Sequence, residues 1–225
     1  MPSLFGLGQL LRGRLSAYTI TRQLHPTEKR CHFRLENERD VLRRFQSRAP
    51  SLRPLIDDVE DPPDLPALVL KHLDDDVLNA SATKRLTRPE VKHVVKRVLE
   101  VLQVLHEDGY VHTGMTSPWP LRAQHEYARE GDVIGAPIFR SPEAQLQIRW
   151  GTATDIADEE ALAILTHVMN GVPDDMLKPF RNITEREIAE DKAFVLRMMK
   201  LVMKLDPRDR PTAKELLQDE WFRME

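Results

Sequence analysis

Chemistry on a phosphate or a hydroxyl group needs few residue types: a glycine turn whose amides approach an anion, a lysine, a proton acceptor and a metal-binding carboxylate. In this chain Gly6 and Gly8 form a G-x-G, but Leu11 takes the third glycine position and Gly13 lies beyond it. A lone G-x-G is a weak signal, so the segment predicts flexibility rather than a phosphate cradle. Between His25 and Arg30, Pro26 removes an amide donor and Glu28 repels phosphate. Lys29 sits in polar sequence without flanking strand residues and reads as a surface side chain. Cys31 is the one cysteine, which excludes an internal disulfide and a cysteine zinc site and fits a reducing compartment.

These residues must be positioned by the elements around them. Residues 88–107 predict the longest helix: Thr87 and Glu90 form a capping box, Pro89 sits in the first turn and Gly109 closes the end. Val91, Val94, Val95, Val98, Leu102 and Leu105 supply its apolar face, with Lys92, His93, Lys96 and Arg97 as a solvated face. Further helices are expected over 155–169, 184–205 and 212–222, the last opened by a second capping box, Thr212 with Glu215. Pro207 and Pro211 stiffen the turn before it, and Leu216, Leu217, Trp221 and Phe222 supply its buried face. Nearer the start, Leu35, Val41, Leu42 and Phe45 share one face of a helix that is otherwise charged. The run from Tyr18 to Leu24 alternates like a strand until His25 and Pro26 stop it. A proline-rich connector, 50–66, carries extended pieces such as 52–59 and leads into Ala67–Leu70, an apolar run that predicts a buried strand.

Composition bounds the reading. With 225 residues and 41% hydrophobic content the chain can bury a real core of one or two domains. Its 33 basic and 36 acidic residues leave a net charge of -3, which gives no field favouring nucleic acid or a membrane surface. No apolar run reaches the length of a membrane span. The first 27 residues carry Arg12, Arg14 and Arg22 and no acid, as an organelle transit peptide does, and Leu4, Leu7, Leu11, Leu15 and Tyr18 recur at helical spacing. An amphipathic N-terminal helix is therefore expected. The expected location is intracellular, cytoplasmic or nuclear, with a mitochondrial alternative resting on that acid-free start.

Three runs carry a family resemblance. Residues 109–113 (Gly109, Tyr110, Val111, His112, Thr113), residues 135–143 from Gly135 to the Ser141, Pro142, Glu143 triplet, and residues 205–222 resemble the eukaryotic protein kinase superfamily, in the serine/threonine kinase style. The resemblance covers about 18–222 in order, with gaps. It implies an α+β, protein-kinase-like fold with a mostly helical C-lobe and a reduced N-lobe sheet, and a buried pairing of Glu143 with Arg210. It also places Asp155 at the head of a long helix, steadying the backbone of the 112–119 loop. Glu38 falls at the ion-pairing glutamate of the C-helix, as a solvated carboxylate without its lysine. Lys71, His72 and Leu73 resemble the hinge whose backbone would face an adenine ring.

The same resemblance implies that the chemistry is gone. Gly114 stands where the catalytic aspartate belongs, Thr116 where a phosphate-steering lysine is expected, and Trp119 where a metal-ligand asparagine belongs. His112 remains, and the resemblance implies a packed core histidine with backbone hydrogen bonding rather than a general base. No D-F-G follows; Asp132 is the tempting substitute for its metal aspartate, but the 135–143 match puts it in the loop just before that run. The expected organisation is an N-terminal extension over 1–17, a reduced N-lobe and hinge over 18–73, and a C-lobe over 74–225. The expected function is a kinase-like protein, catalytically inactive, that binds an unidentified protein partner, with no cofactor, no nucleic acid and no membrane span. The alternatives are an active serine/threonine kinase using ATP and magnesium, or an incomplete version of a longer active one.

Overall fold

The structure, a computed structural model, describes residues 5–22, 32–63, 67–77, 79–80, 84, 86–113, 120–134, 140–157, 193, 197–198, 200–202 and 204–223. It is a mixed α+β chain that divides into two units, Met1–Asp74 and Asp75–Glu225.

The first unit holds an antiparallel sheet of strands β1 (Leu10–Gly13), β2 (Ala17–Thr19), β3 (Leu55–Asp61) and β4 (Ala67–Leu70), in the order β2-β1-β3-β4. Helix α1 (His32–Phe45) packs on it, burying Val41, Leu42 and Phe45 as its apolar spacing requires. The N-terminal helix expected from the leucine spacing is not formed. Leu11 is buried as part of β1, and Leu7, Leu10 and Leu15 are exposed. Gly8 adopts a φ of 79°, which ends any helical run there. Residues 10–13 therefore belong to the sheet and not to a separate extension. The strand expected over 18–24 begins one residue earlier and ends at Thr19, with a further bond beyond it from Ile20 N to the Gln9 carbonyl at 3.0 Å; residues 23 and 24 lie outside the described ones. Ala67–Leu70 forms its strand, but at the sheet edge and only half-buried, where a fully buried strand was expected. The 23–31 segment, with Lys29 and Cys31, lies outside the described residues.

The second unit is built on α2 (Arg88–Glu107). Its N-cap is the expected reciprocal box: Thr87 Oγ1 accepts from Glu90 N, and Glu90 Oε2 accepts from Thr87 N at 2.7 Å. Val91, Val95, Leu99 and Leu102 form a core with Ile156, Met198, Val202, Ala213, Leu216 and Trp221, with Val98 at its margin. Lys92 is not simply solvated, because its Nζ lies 5.1 Å from the centre of the Trp221 ring. A two-stranded ladder, β5 (Tyr110–Val111) with β6 (Leu121–Arg122), follows. Then come short helices α3 (Glu126–Glu130), α4 (Pro142–Gln145), α5 (Ala153–Ala157) and α6 (Ala213–Leu216).

The helix expected over 212–222 is divided: α6 is one turn long, and Glu220–Phe222 is a separate 3-10 turn. Asp219 explains the break, because its side chain caps the second turn through Trp221 N and accepts a forked bond from Arg197 at 2.7 and 2.9 Å. Of the helices expected over 155–169 and 184–205, most residues lie outside the described ones. Residues 193, 197–198 and 200–202 are helical, with Met198 and Val202 buried.

Candidate functional site

The first two residues after β5, His112 and Thr113, give their amides to a carboxylate. Asp155, on α5 and 6% exposed, accepts from His112 N at 2.6 Å and Thr113 N at 3.0 Å. His106, at the end of α2, lies with Nε2 2.8 Å from Asp155 Oδ2. A carboxylate can only accept, so Nε2 carries the hydrogen. Thr113 is fully buried with a φ of 66°, a conformation a threonine holds only where its surroundings over-determine it. Asp155 supplies that constraint by gripping the amide. His112 contributes its backbone here and is half-buried. Gly114, Thr116 and Trp119 lie outside the described residues.

The residues beside Asp155 on α5 serve a second junction. Arg210 and Glu143 meet through two parallel bonds, Nη1 to Oε1 at 2.6 Å and Nη2 to Oε2 at 2.7 Å. Arg210 uses its remaining donors on carbonyls: Nε on Lys204 at 2.8 Å, Nη1 on Ala153 at 3.1 Å and Nη2 on Leu205 at 3.3 Å. Thr154 Oγ1 donates to Glu143 Oε1 at 2.9 Å. Burial pushes the Glu143 carboxyl up, but the bonds from Arg210, its own backbone amide and Thr154, with the charge of Arg210, outweigh burial and hold it below the ordinary range. Ser141 positions the glutamate by capping α4, its Oγ accepting from Ala144 N.

The other candidates fall elsewhere. Asp132 is exposed in the loop after α3; its carbonyl accepts from Trp150 Nε1 at 2.9 Å. That loop turns at Gly131, whose φ is 78° and where an added Cβ would stand 2.4 Å from the Gln147 carbonyl oxygen. Glu38 is half-buried on α1 rather than solvated, which corrects the expectation for it. Lys71, His72 and Leu73 are exposed beyond β4, and the Lys71 backbone is occupied: its N–H donates to Pro54 O and its carbonyl accepts from Arg53 Nε. A cleft of about 450 Å³ opens beside Arg210, lined by His106, Ile156, Arg208, Thr212 and Lys214 among others, and does not include the 110–113 loop. Among the described residues no group of three or more His, Cys, Asp or Glu could hold a metal ion.

Neither a protein-family model nor a curated protein matches the chain.

Two structural residues escaped sequence reading. His106 sits at the end of a helix where nothing local marks it. Asp57 on β3, 5% exposed, accepts from the amides of Arg14, Leu15 and Ser16, which lie 41 to 43 residues away in the chain. An aspartate in a strand that also carries Asp58, Glu60 and Asp61 reads as solvated, and only the tertiary partners show otherwise.

Proposed function

We propose that the chain is a protein-kinase-like framework that does not transfer phosphate and acts as a binding module for a protein partner. Asp155 supports the kinase-like part of this reading, since it serves the 112–113 backbone as the resemblance implies, while the loss of transfer rests on the sequence at Gly114, Thr116 and Trp119. Asp155 accepts from the backbone of the 112–113 run and lies against His106. Its Oδ2 already serves His106 and His112 N, and its Oδ1 serves Thr113 N. A carboxylate so engaged is a structural ligand and has little capacity left for a substrate proton or a metal ion. The sequence beyond it offers Gly114, Thr116 and Trp119, none of which supplies charge at that loop. Phosphoryl transfer is almost entirely positioning and electrostatics, so the loss of those charges removes the means of catalysis. The net charge of -3 gives no attraction to nucleic acid, which favours a protein as the partner.

The test is a thermal shift with magnesium-ATP beside a radiolabel transfer assay on the purified chain. The expected result is no stabilisation and no label. Stabilisation together with labelling that disappears in Asp132→Ala would overturn the reading.

A further inference from the structure

The β1–β2 turn has the architecture of an anion site, and its occupant is part of the chain. Three successive amides, Arg14 N, Leu15 N and Ser16 N, converge on the Asp57 carboxylate at 3.1, 2.9 and 3.1 Å. Tyr18 Oη adds a fourth donor at 3.0 Å and Asp58 N a fifth at 2.8 Å. Consecutive backbone N–H groups curled around one negative group make a nest, the concavity that elsewhere holds phosphate and carboxylate ligands. Gly13 completes it: a Cβ there would lie 2.2 Å from Asp57 Oδ2, so the close approach of turn and carboxylate requires glycine. Burial and the contact with Asp57 raise the Tyr18 hydroxyl above its ordinary value of 10.0.

We propose that the Gly13–Ser16 turn is an oxyanion-binding site that the chain keeps closed with its own Asp57 carboxylate, and that a free oxyanion takes the site once this carboxylate is removed. The ligand class is a small planar or tetrahedral oxyanion, a carboxylate or a phosphate, because four backbone amides and one hydroxyl all present hydrogens to the same point, and that convergence recognises an acceptor-only group. In the intact chain Asp57 is tethered on β3 beside the turn, so a dissolved anion competes against a very high local concentration of carboxylate. The inference stands on the first unit alone and does not depend on the kinase-like reading.

The test is anion rescue in the full-length chain. Asp57→Gly empties the nest, while Asp57→Asn fills it with an uncharged side chain of the same shape. Formate, inorganic phosphate and chloride are titrated at matched ionic strength, with thermal unfolding and circular dichroism as readouts. Asp57→Gly is expected to gain roughly 5 °C, saturably, from formate or phosphate and not from chloride, with no matching gain in the parent or in Asp57→Asn. Gain from formate alone assigns the site to carboxylates, and gain from phosphate alone to phosphate groups. Should Asp57→Gly be unfolded, the same anions must restore its circular dichroism. In the parent, the Arg14, Leu15 and Ser16 amides should be protected from hydrogen exchange at neutral pH and lose protection together in acid. No oxyanion-specific rescue of Asp57→Gly, equal rescue of Asp57→Asn, or unprotected turn amides in the parent would each overturn the proposal.

Discussion

Replacing Arg210 with alanine should be among the most damaging single changes in the second unit. The guanidinium has five N–H donors and the structure uses all five, two on Glu143 and one each on the carbonyls of Lys204, Ala153 and Leu205. Without it, the Glu143 side chain, 2% exposed, keeps the Thr154 hydroxyl and its own backbone amide as donors but loses its counter-charge. Stranding a buried charge in this way costs about 3–5 kcal/mol, against a typical total stability of about 5–15 kcal/mol. Arg210→Lys should fall between, losing about 1–3 kcal/mol, because three donors on a point charge cannot reach acceptors arranged around a planar fork. Glu143→Leu combined with Arg210→Met should be milder than Arg210→Ala alone, since neither charge then remains. Urea unfolding followed by circular dichroism measures each cost from the shift in midpoint at constant slope. An Arg210→Ala protein within about 1 kcal/mol of the parent, or a double variant worse than the single one, would show that the pair does not hold the junction.

What the sequence revealed and what it hid divide by range. Both capping boxes, Thr87 with Glu90 and Thr212 with Glu215, were legible because every participant lies within three residues. The 88–107 helix was legible for a similar reason, its apolar spacing being continuous over 20 residues. Strand β1 was not, because leucines at helical spacing describe a helix only if nothing distant competes. Here Asp57 fixes the 14–16 amides and draws the segment into a hairpin, and an isolated short helix is too weak to resist that. The division of 212–222 was missed for a related reason, since Asp219 is claimed by Arg197, 22 residues away. For Glu143 and Arg210, 67 residues apart, the motif resemblance implied a buried bidentate pair that no local pattern links, and the fold supplies its two bonds. The same holds for Asp155, whose place the resemblance suggested and whose His106 contact it did not.

Asp155→Asn should loosen the 110–113 loop. An amide group presents one acceptor where the carboxylate presents two, so one of the His112 and Thr113 N–H groups loses its partner, at about 1–3 kcal/mol. Hydrogen exchange at those two amides should rise while α2 stays protected, and unchanged exchange would show that the loop is held by something else. Acid should destabilise both units, each through its own carboxylate. Burial opposes ionisation of Asp57, but the Leu15 amide, the Tyr18 hydroxyl and the Ser16 and Arg14 amides outweigh it and hold the group below its ordinary value of 3.8. Glu143 is likewise held below 4.5. A carboxyl whose folded value is depressed binds fewer protons folded than unfolded, so its contribution is fully present above the unfolded value and is lost as pH falls through the folded one. The melting temperature should therefore be flat with respect to these groups above about pH 5 and should fall below it. Glu143→Gln should weaken the acid dependence of the second unit and Asp57→Asn that of the first. A parent protein whose melting temperature holds steady from neutral pH down past both ordinary values would mean that neither carboxylate is stabilised by the fold, and the argument from their hydrogen bonds would fail with it.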